Sequence, residues 1–250
     1  MRTLLILFRK ELRSFFQNPF GWVIIAAVAI ANGVGISTSM KGFIDTPSQY
    51  SLIFATFHSP VFWFWFLFIF PLITMRSFAE EERSGTLETL LTAPVRTWQV
   101  VLSKYGAALA FYLILWIPTL IQFHIFSWVS ELPEGWTPGE VFGTYTILFL
   151  MGMAFTAVGC LASSLTSSQI IAGLLTICFL MMLFFLGFIP LIWGGAFRGA
   201  GIFYYISCQE HLAFFAKGFV DTRPFIYYSS LTFVVLFLTY QIVDFRRWKR

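Results

Sequence analysis

Charge is what this sequence lacks. Only 11% of its 250 residues are Asp, Glu, Lys or Arg, where a soluble globular domain carries roughly a quarter. None of the four occurs between Val141 and Phe197. Hydrophobic residues make up 58% of the chain and aromatics 20%, more than the core of one domain of this length can absorb. The remaining apolar side chains need lipid as their solvent, so the chain reads as an integral membrane protein. The want of ionisable groups inside its apolar runs argues against proton relays and ion-coupled transport. It argues equally against intramembrane protease chemistry, which needs paired carboxylates or a histidine cluster.

Cysteine is scarce as well. Cys160, Cys178 and Cys208 show no CxxC spacing, and two of them fall in apolar runs, so neither a disulfide framework nor a zinc site is expected. Met151, Met153, Met181 and Met182 match no ligand motif and read as packing residues. His58, His124 and His211 fall near span ends or in loops and read as interfacial polar groups. The nearest approach to a phosphate loop is Gly194 to Gly201, but Ala200 and Gly201 stand where the motif needs Lys and Ser or Thr. No metal, cofactor or nucleotide site is expected in this chain.

Long apolar runs are what it has in abundance. A spanning helix needs about 20 mostly apolar residues, and six segments qualify: 20–40, 59–76, 106–129, 142–163, 170–193 and 225–243. They do not alternate as barrel strands would, so the predicted fold is an all-α membrane bundle forming a single domain over 1–250. SLTSSQ at 164–169 leaves room only for a tight turn, making spans four and five a hairpin. Small residues at steps of three and four, Gly152, Thr156, Gly159 and Ser163 in span four and Ala29, Gly33 and Ser37 in span one, predict close helix contacts within or between chains.

Residues 1–18 place Leu4, Leu5, Phe8, Leu12, Phe15 and Phe16 on one helical face and Arg2, Arg9, Lys10, Arg13 and Gln17 on the other, the pattern of a helix lying in the membrane interface. Basic residues set orientation. With a cytoplasmic N-terminus, that side receives Arg2, Arg9, Lys10, Arg13, Arg76, Arg83, Arg96, Lys104, Arg246, Arg247, Lys249 and Arg250. The other side receives only Lys41, Arg198, Lys217 and Arg223. Both termini are then expected in the cytoplasm. Outside, 41–58 and 130–141 read as short polar loops, and the aromatic stretch 194–224 as short helices dipping toward the bilayer or a loop resting on headgroups.

One polar segment interrupts this pattern on the cytoplasmic side, residues 77–105. Ser77 and Glu80 have capping-box spacing for a short helix, Gly85 is placed to end it, and Thr86 to cap a second helix that Pro94 breaks. Leu87, Leu90 and Leu91 form an apolar patch rimmed by Glu81, Glu82, Arg83 and Glu88, as a docking surface requires. A loop lying on lipid is the competing reading, disfavoured because three consecutive acids would face an anionic leaflet.

The run EEERSGTLETLLTAPV followed by VVLSKY, and the ending EHLAFFAKGFVDTRPFIYYSSLTFVVLFLTYQIVDFRRW, resemble ABC-2-type permeases of the gliding-motility and multidrug-export kind. The resemblance implies a non-enzymatic permease subunit of an exporter in the inner (cytoplasmic) membrane. It implies a dimer, with a second copy or a paralogue, above two separate ATPase subunits that bind ATP and Mg²⁺. It also makes the segment after span two a coupling helix seated in the ATPase, with Glu81, Glu82, Arg83, Gly85, Thr86, Leu87, Leu90, Leu91 and Pro94 as the interface. No nucleic-acid partner is expected. Two other readings stay open: a membrane enzyme acting on lipid-linked substrates through Glu210, His211, Asp221 and Arg223, and a structural anchor.

Overall fold

The computed structural model describes residues 2–45, 51–86, 95–129, 137–189 and 200–248. Its helices are α1 (Arg2–Gln17), α2 (Pro19–Asp45), α3 (Leu52–Phe57), α4 (Pro60–Thr74), α5 (Ala79–Arg83), α6 (Thr97–Leu115), α7 (Ile117–Val129), α8 (Pro138–Ser164), α9 (Gln169–Leu186), α10 (Ala200–Ile206), α11 (Cys208–Ala216) and α12 (Arg223–Trp248). Six stretches are long and apolar enough to cross a membrane: Pro19–Gly42, Pro60–Arg83, Thr97–Val129, Pro138–Ser164, Gln169–Leu186 and Arg223–Arg246. The protein is an all-α integral membrane protein with no strand among the described residues.

Local sequence fixes where the spans begin. Ser59 accepts a hydrogen bond from the Phe62 N–H (3.2 Å) ahead of α4, with Pro60 in the first turn. Thr137 and Glu140 form a reciprocal capping box at the start of α8. Each device satisfies backbone donors that the first helical turn cannot pair for itself.

The third span begins at Thr97 rather than at 106, and it is broken at Trp116. Pro118 has no N–H to donate to Ile114, and the chain tightens there, the Trp116 N–H bonding Leu113 O at 3.2 Å. The described fifth span ends at Leu186. Residues 41–58, expected as a polar loop, contain α3, whose Leu52, Ile53, Thr56 and Phe57 are buried in the end of the bundle. Phe57 meets Phe62, Trp116, Phe123 and Tyr145 there. Six residues, five of them apolar, are too few to register as a span, which is why the sequence pattern passes over them. Within 194–224, α10 and α11 are short helices, and α11 buries Leu212 and Phe215 against α8 and α3.

α8 is the axis of the molecule: α4, α6, α9, α11 and α12 all pack on it, and 78% of its span is buried, against 22% for α9 and 28% for α12. Its small residues permit this. A Cβ on Gly152 would stand 2.1 Å from the Tyr112 ring of α6, and one on Gly159 2.2 Å from Thr74 Oγ1 of α4. Thr156 and Ser163 are fully buried on the same face. In α2, the Ala29 carbonyl accepts from Gln122 Nε2 (2.9 Å), Gly33 lies against the same amide, and Ser37 is exposed. Asn32 Nδ2 donates to Thr119 Oγ1 (2.8 Å), so a polar seam ties α2 to α7. Outward faces remain greasy: Ile170, Leu174, Met182 and Phe185 on α9 and Phe233, Val234 and Phe237 on α12 are all exposed, as lipid contact demands.

Candidate coupling surface

α5 is a five-residue helix, too short to persist unaided, and neighbouring elements hold it in place. The chain leaves α4 through a turn at Met75–Phe78. The backbone N–H groups of Phe78 and Ala79 then donate to Ser163 Oγ, at 3.0 and 3.1 Å, while that hydroxyl donates to Met75 O at 3.3 Å. Ser163 is therefore the cap, supplied from 85 residues away in α8. This corrects the expectation for Ser77, since α5 begins after Phe78 and carries no side-chain cap of its own. Phe78 and Ala79 are buried to 1% and 0% exposure and anchor α5 to the bundle. Gly85 ends the element at φ 71°, a left-handed conformation suited to glycine. The Thr86 and Ser84 hydroxyls meet at 2.8 Å just beside it.

Beneath α5 lies a buried ionic knot. The Lys104 side chain of α6 is 2% exposed and its Nζ sits 2.9 Å from Glu81 Oε1 and 3.2 Å from Glu11 Oε1 of α1. The ammonium also lies 5.6 Å from the centroid of the Phe78 ring. A side chain so deeply withdrawn from water needs such partners to offset its lost hydration. A second link runs from Glu82 Oε2 to Arg246 Nη1 of α12 at 2.7 Å. A third, from Thr97 Oγ1 to Asp244 Oδ1 at 2.8 Å, joins the start of α6 to the same end of α12. The first two bonds tie α5 to α1, α6 and α12, and put both ends of the chain on one side of the bundle.

A family profile described as "ABC-2 family transporter protein" matches residues 20–207, three quarters of the chain, from the first span through α10. The chain belongs to the ABC-2 transporter family. It is similar to the probable multidrug ABC transporter permease YbhR of Escherichia coli K12, with 31% identity over 98 residues. The same protein of Escherichia coli O157:H7 matches equally. Those 98 residues are 39% of this chain and 25% of the relative, so the match takes in about a quarter of the length of these curated proteins. The ABC-2 membership places this membrane-embedded polypeptide in a family of transporter proteins.

Within this ABC-2 subunit, the residues expected to form an interface divide into two groups. Glu81, Glu82, Arg83, Gly85 and Thr86 are described; Leu87, Leu90, Leu91 and Pro94 lie outside the described residues. Glu81 and Glu82 turn one oxygen each toward internal cations, whereas Glu80, Arg83 and Gly85 are exposed. The sequence reading missed Glu11, Lys104, Asp244 and Arg246. Their trace was visible in charge of the wrong sign: Glu11 is the only acid among residues 1–40, and Asp244 sits in a basic tail.

The polar residues of the other end do not converge. His211 Nδ1 lies 3.2 Å from Tyr228 OH, while Asp221 and Arg223 form an exposed pair at 3.7 Å. Burial pushes the His211 imidazole down to about 4, overcoming the Tyr205 backbone bond and the Asp221 charge that raise it. Burial likewise pushes the Cys208 thiol up to about 11, so it stays protonated. A neutral histidine against a tyrosine, apart from any carboxylate within bonding distance among the described residues, makes no acid–base pair for catalysis.

Proposed function

We propose that this ABC-2 subunit forms the translocation path of an exporter and receives force from a separate ATPase at residues 79–94. The observation that carries this reading is the ionic tie of α5 to three other elements. A load applied beside Glu81 and Glu82 is transmitted through Lys104 to α6 and α1, and through Arg246 to α12. Span two continues into α5, so four parts of the bundle move with one small helix. ATP and Mg²⁺ belong to the partner, whose nucleotide-driven closure would bias the bundle between two arrangements. Charged Glu81, Glu82 and Arg83 orient docking, Gly85 sets the turn, and Leu87, Leu90, Leu91 and Pro94 enter the partner's cleft.

On this reading the termini face the cytoplasm of a cell (inner) membrane, and two permease chains, identical or paralogous, complete the path. The E. coli relative is a probable multidrug ABC transporter permease, which supports drugs as the cargo class; export is the proposed direction. The test uses the chain co-purified with its ATPase in proteoliposomes. Gly85→Pro is incompatible with φ 71°, and Leu90→Asp places a charge in the proposed cleft. Both are expected to abolish transport while hydrolysis by the ATPase continues and helicity is unchanged. Normal transport by both variants would remove the docking assignment. Labelling a cysteine introduced at position 88 only from the extracellular side would remove the orientation.

A further inference from the structure

A cavity of about 280 Å³ opens at the end of the bundle that carries both termini, between α1, the first turn of α2, the end of α4, α5 and α6. Three cations, Lys10, Arg76 and Lys104, and three carboxylates, Glu11, Glu80 and Glu81, line it. Lys104 is taken up by Glu11 and Glu81. What remains unmet has both signs. Arg76 stacks its guanidinium 4.4 Å over the Phe20 ring, and its Nε is buried with no hydrogen-bond acceptor among the described residues. Glu81 uses Oε1 on Lys104 while Oε2 is buried with no donor among the described residues. Glu80 at the exposed rim has no cation within ion-pair distance among the described residues. Phe15, Phe20, Leu72 and Ile73 give the same space an apolar side.

A simple anion entering this cavity would gain Arg76 and Lys10 but face the carboxylates. A simple cation would meet the reverse. A ligand with a phosphate at one end and a protonated amine at the other satisfies both. Such a ligand is abundant where the cavity lies, at the ends of two spans and beside an amphipathic helix, the depth of lipid headgroups.

We propose that this cavity binds the zwitterionic headgroup of a phospholipid of the aminoethyl-phosphate class, its phosphate on Arg76 and Lys10 and its ammonium on Glu80 and Glu81. The apolar side receives the glycerol and first acyl carbons. A choline headgroup has no N–H for Glu81, and a glycerol headgroup has no cation, so both bind less well. The site depends on the membrane placement alone and stands whether or not residues 79–94 engage an ATPase.

The experiment is native mass spectrometry of the full chain in detergent with added phosphatidylethanolamine, phosphatidylcholine or phosphatidylglycerol. Phosphatidylethanolamine is expected to be retained at least about 10-fold better than the other two, the scale of one charge-assisted hydrogen bond. Arg76→Gln should abolish retention of all three lipids, and Arg76→Lys should restore part of it. Exposed Glu80→Gln, which spares the fold, should leave phosphatidylethanolamine no better than phosphatidylglycerol. Equal retention of the three lipids by the native chain, or undiminished phosphatidylethanolamine in folded Arg76→Gln and Glu80→Gln, would overturn the site and leave a hydrated crevice. Binding of glycerophosphoethanolamine with no retained lipid would overturn the lipid as its source.

Discussion

Lys104 is the residue on which the termini end of the bundle turns. Replacing it by Met leaves Glu11 and Glu81 facing each other in a largely buried space, and a broken buried pair costs about 3 kcal/mol. Thermal unfolding of Lys104→Met in detergent should show that loss, and adding Glu11→Gln with Glu81→Gln should recover most of it. Ser163 offers a sharper contrast. Ser163→Ala strands the Phe78 and Ala79 N–H groups and is expected to cost about 1–2 kcal/mol. Ser77→Ala, at the position that sequence spacing favours, is expected to change stability by less than about 0.5 kcal/mol. Hydrogen exchange at α5 amides distinguishes the two. His211 gives a pH signature. Its folded form resists protonation down to about 4 from an ordinary 6.5, so its contribution is intact above pH 6.5 and is lost as pH falls toward 4, where the unfolded chain takes up the proton. The unfolding midpoint of the native chain should drop across that window more than that of His211→Gln.

Among the elements, α8 decides how closely the bundle closes. Three of its glycines sit where a Cβ would collide with a neighbour: Gly143 with the Phe215 backbone, Gly152 with the Tyr112 ring and Gly159 with the Thr74 side chain. Gly152→Ala would drive a methyl into the Tyr112 ring, which is itself held by its hydroxyl on Leu148 O at 2.8 Å. The ring cannot swing aside without losing that bond, so a loss of about 2–3 kcal/mol is expected, readable as a lowered unfolding midpoint. Gly173→Ala, whose added methyl meets only Met75 at an ordinary 3.9 Å, serves as the control and should not lower the midpoint. α5 illustrates the opposite case. Five residues cannot hold a helix, and this one exists because α8 caps it, α6 charges it and α12 pins it.

At the scale of the whole molecule, the ionic links join α1, α5, α6 and α12 at the end of the bundle that carries the termini. If force passes from α5 to α12, breaking their tie should weaken coupling. Glu82→Gln or Arg246→Gln, which removes the ion pair at 2.7 Å, is expected to lower the transport achieved per ATP hydrolysed. Transport unaffected by either change would separate this tie from coupling. Reversing the pair in Glu82→Arg with Arg246→Glu should retain activity that either single change loses.

The number of spans, the all-α class and the ABC-2 family were all legible in the amino-acid order. Lipid solvation selects unbroken apolar runs, and such runs are local properties of a chain. Gly85 could be read as a helix stop because left-handed backbone is a local preference too. The tertiary structure alone decided that Ser163 caps α5 in place of Ser77, that α3 is an apolar plug, and that Glu81 and Glu82 face Lys104 and Arg246. Each of these joins residues tens to more than a hundred positions apart, and no spacing rule carries such distances. A hydroxyl or a carboxylate looks the same in sequence whichever partner it will meet, and only the packing of α1, α6, α8 and α12 around α5 chooses among them.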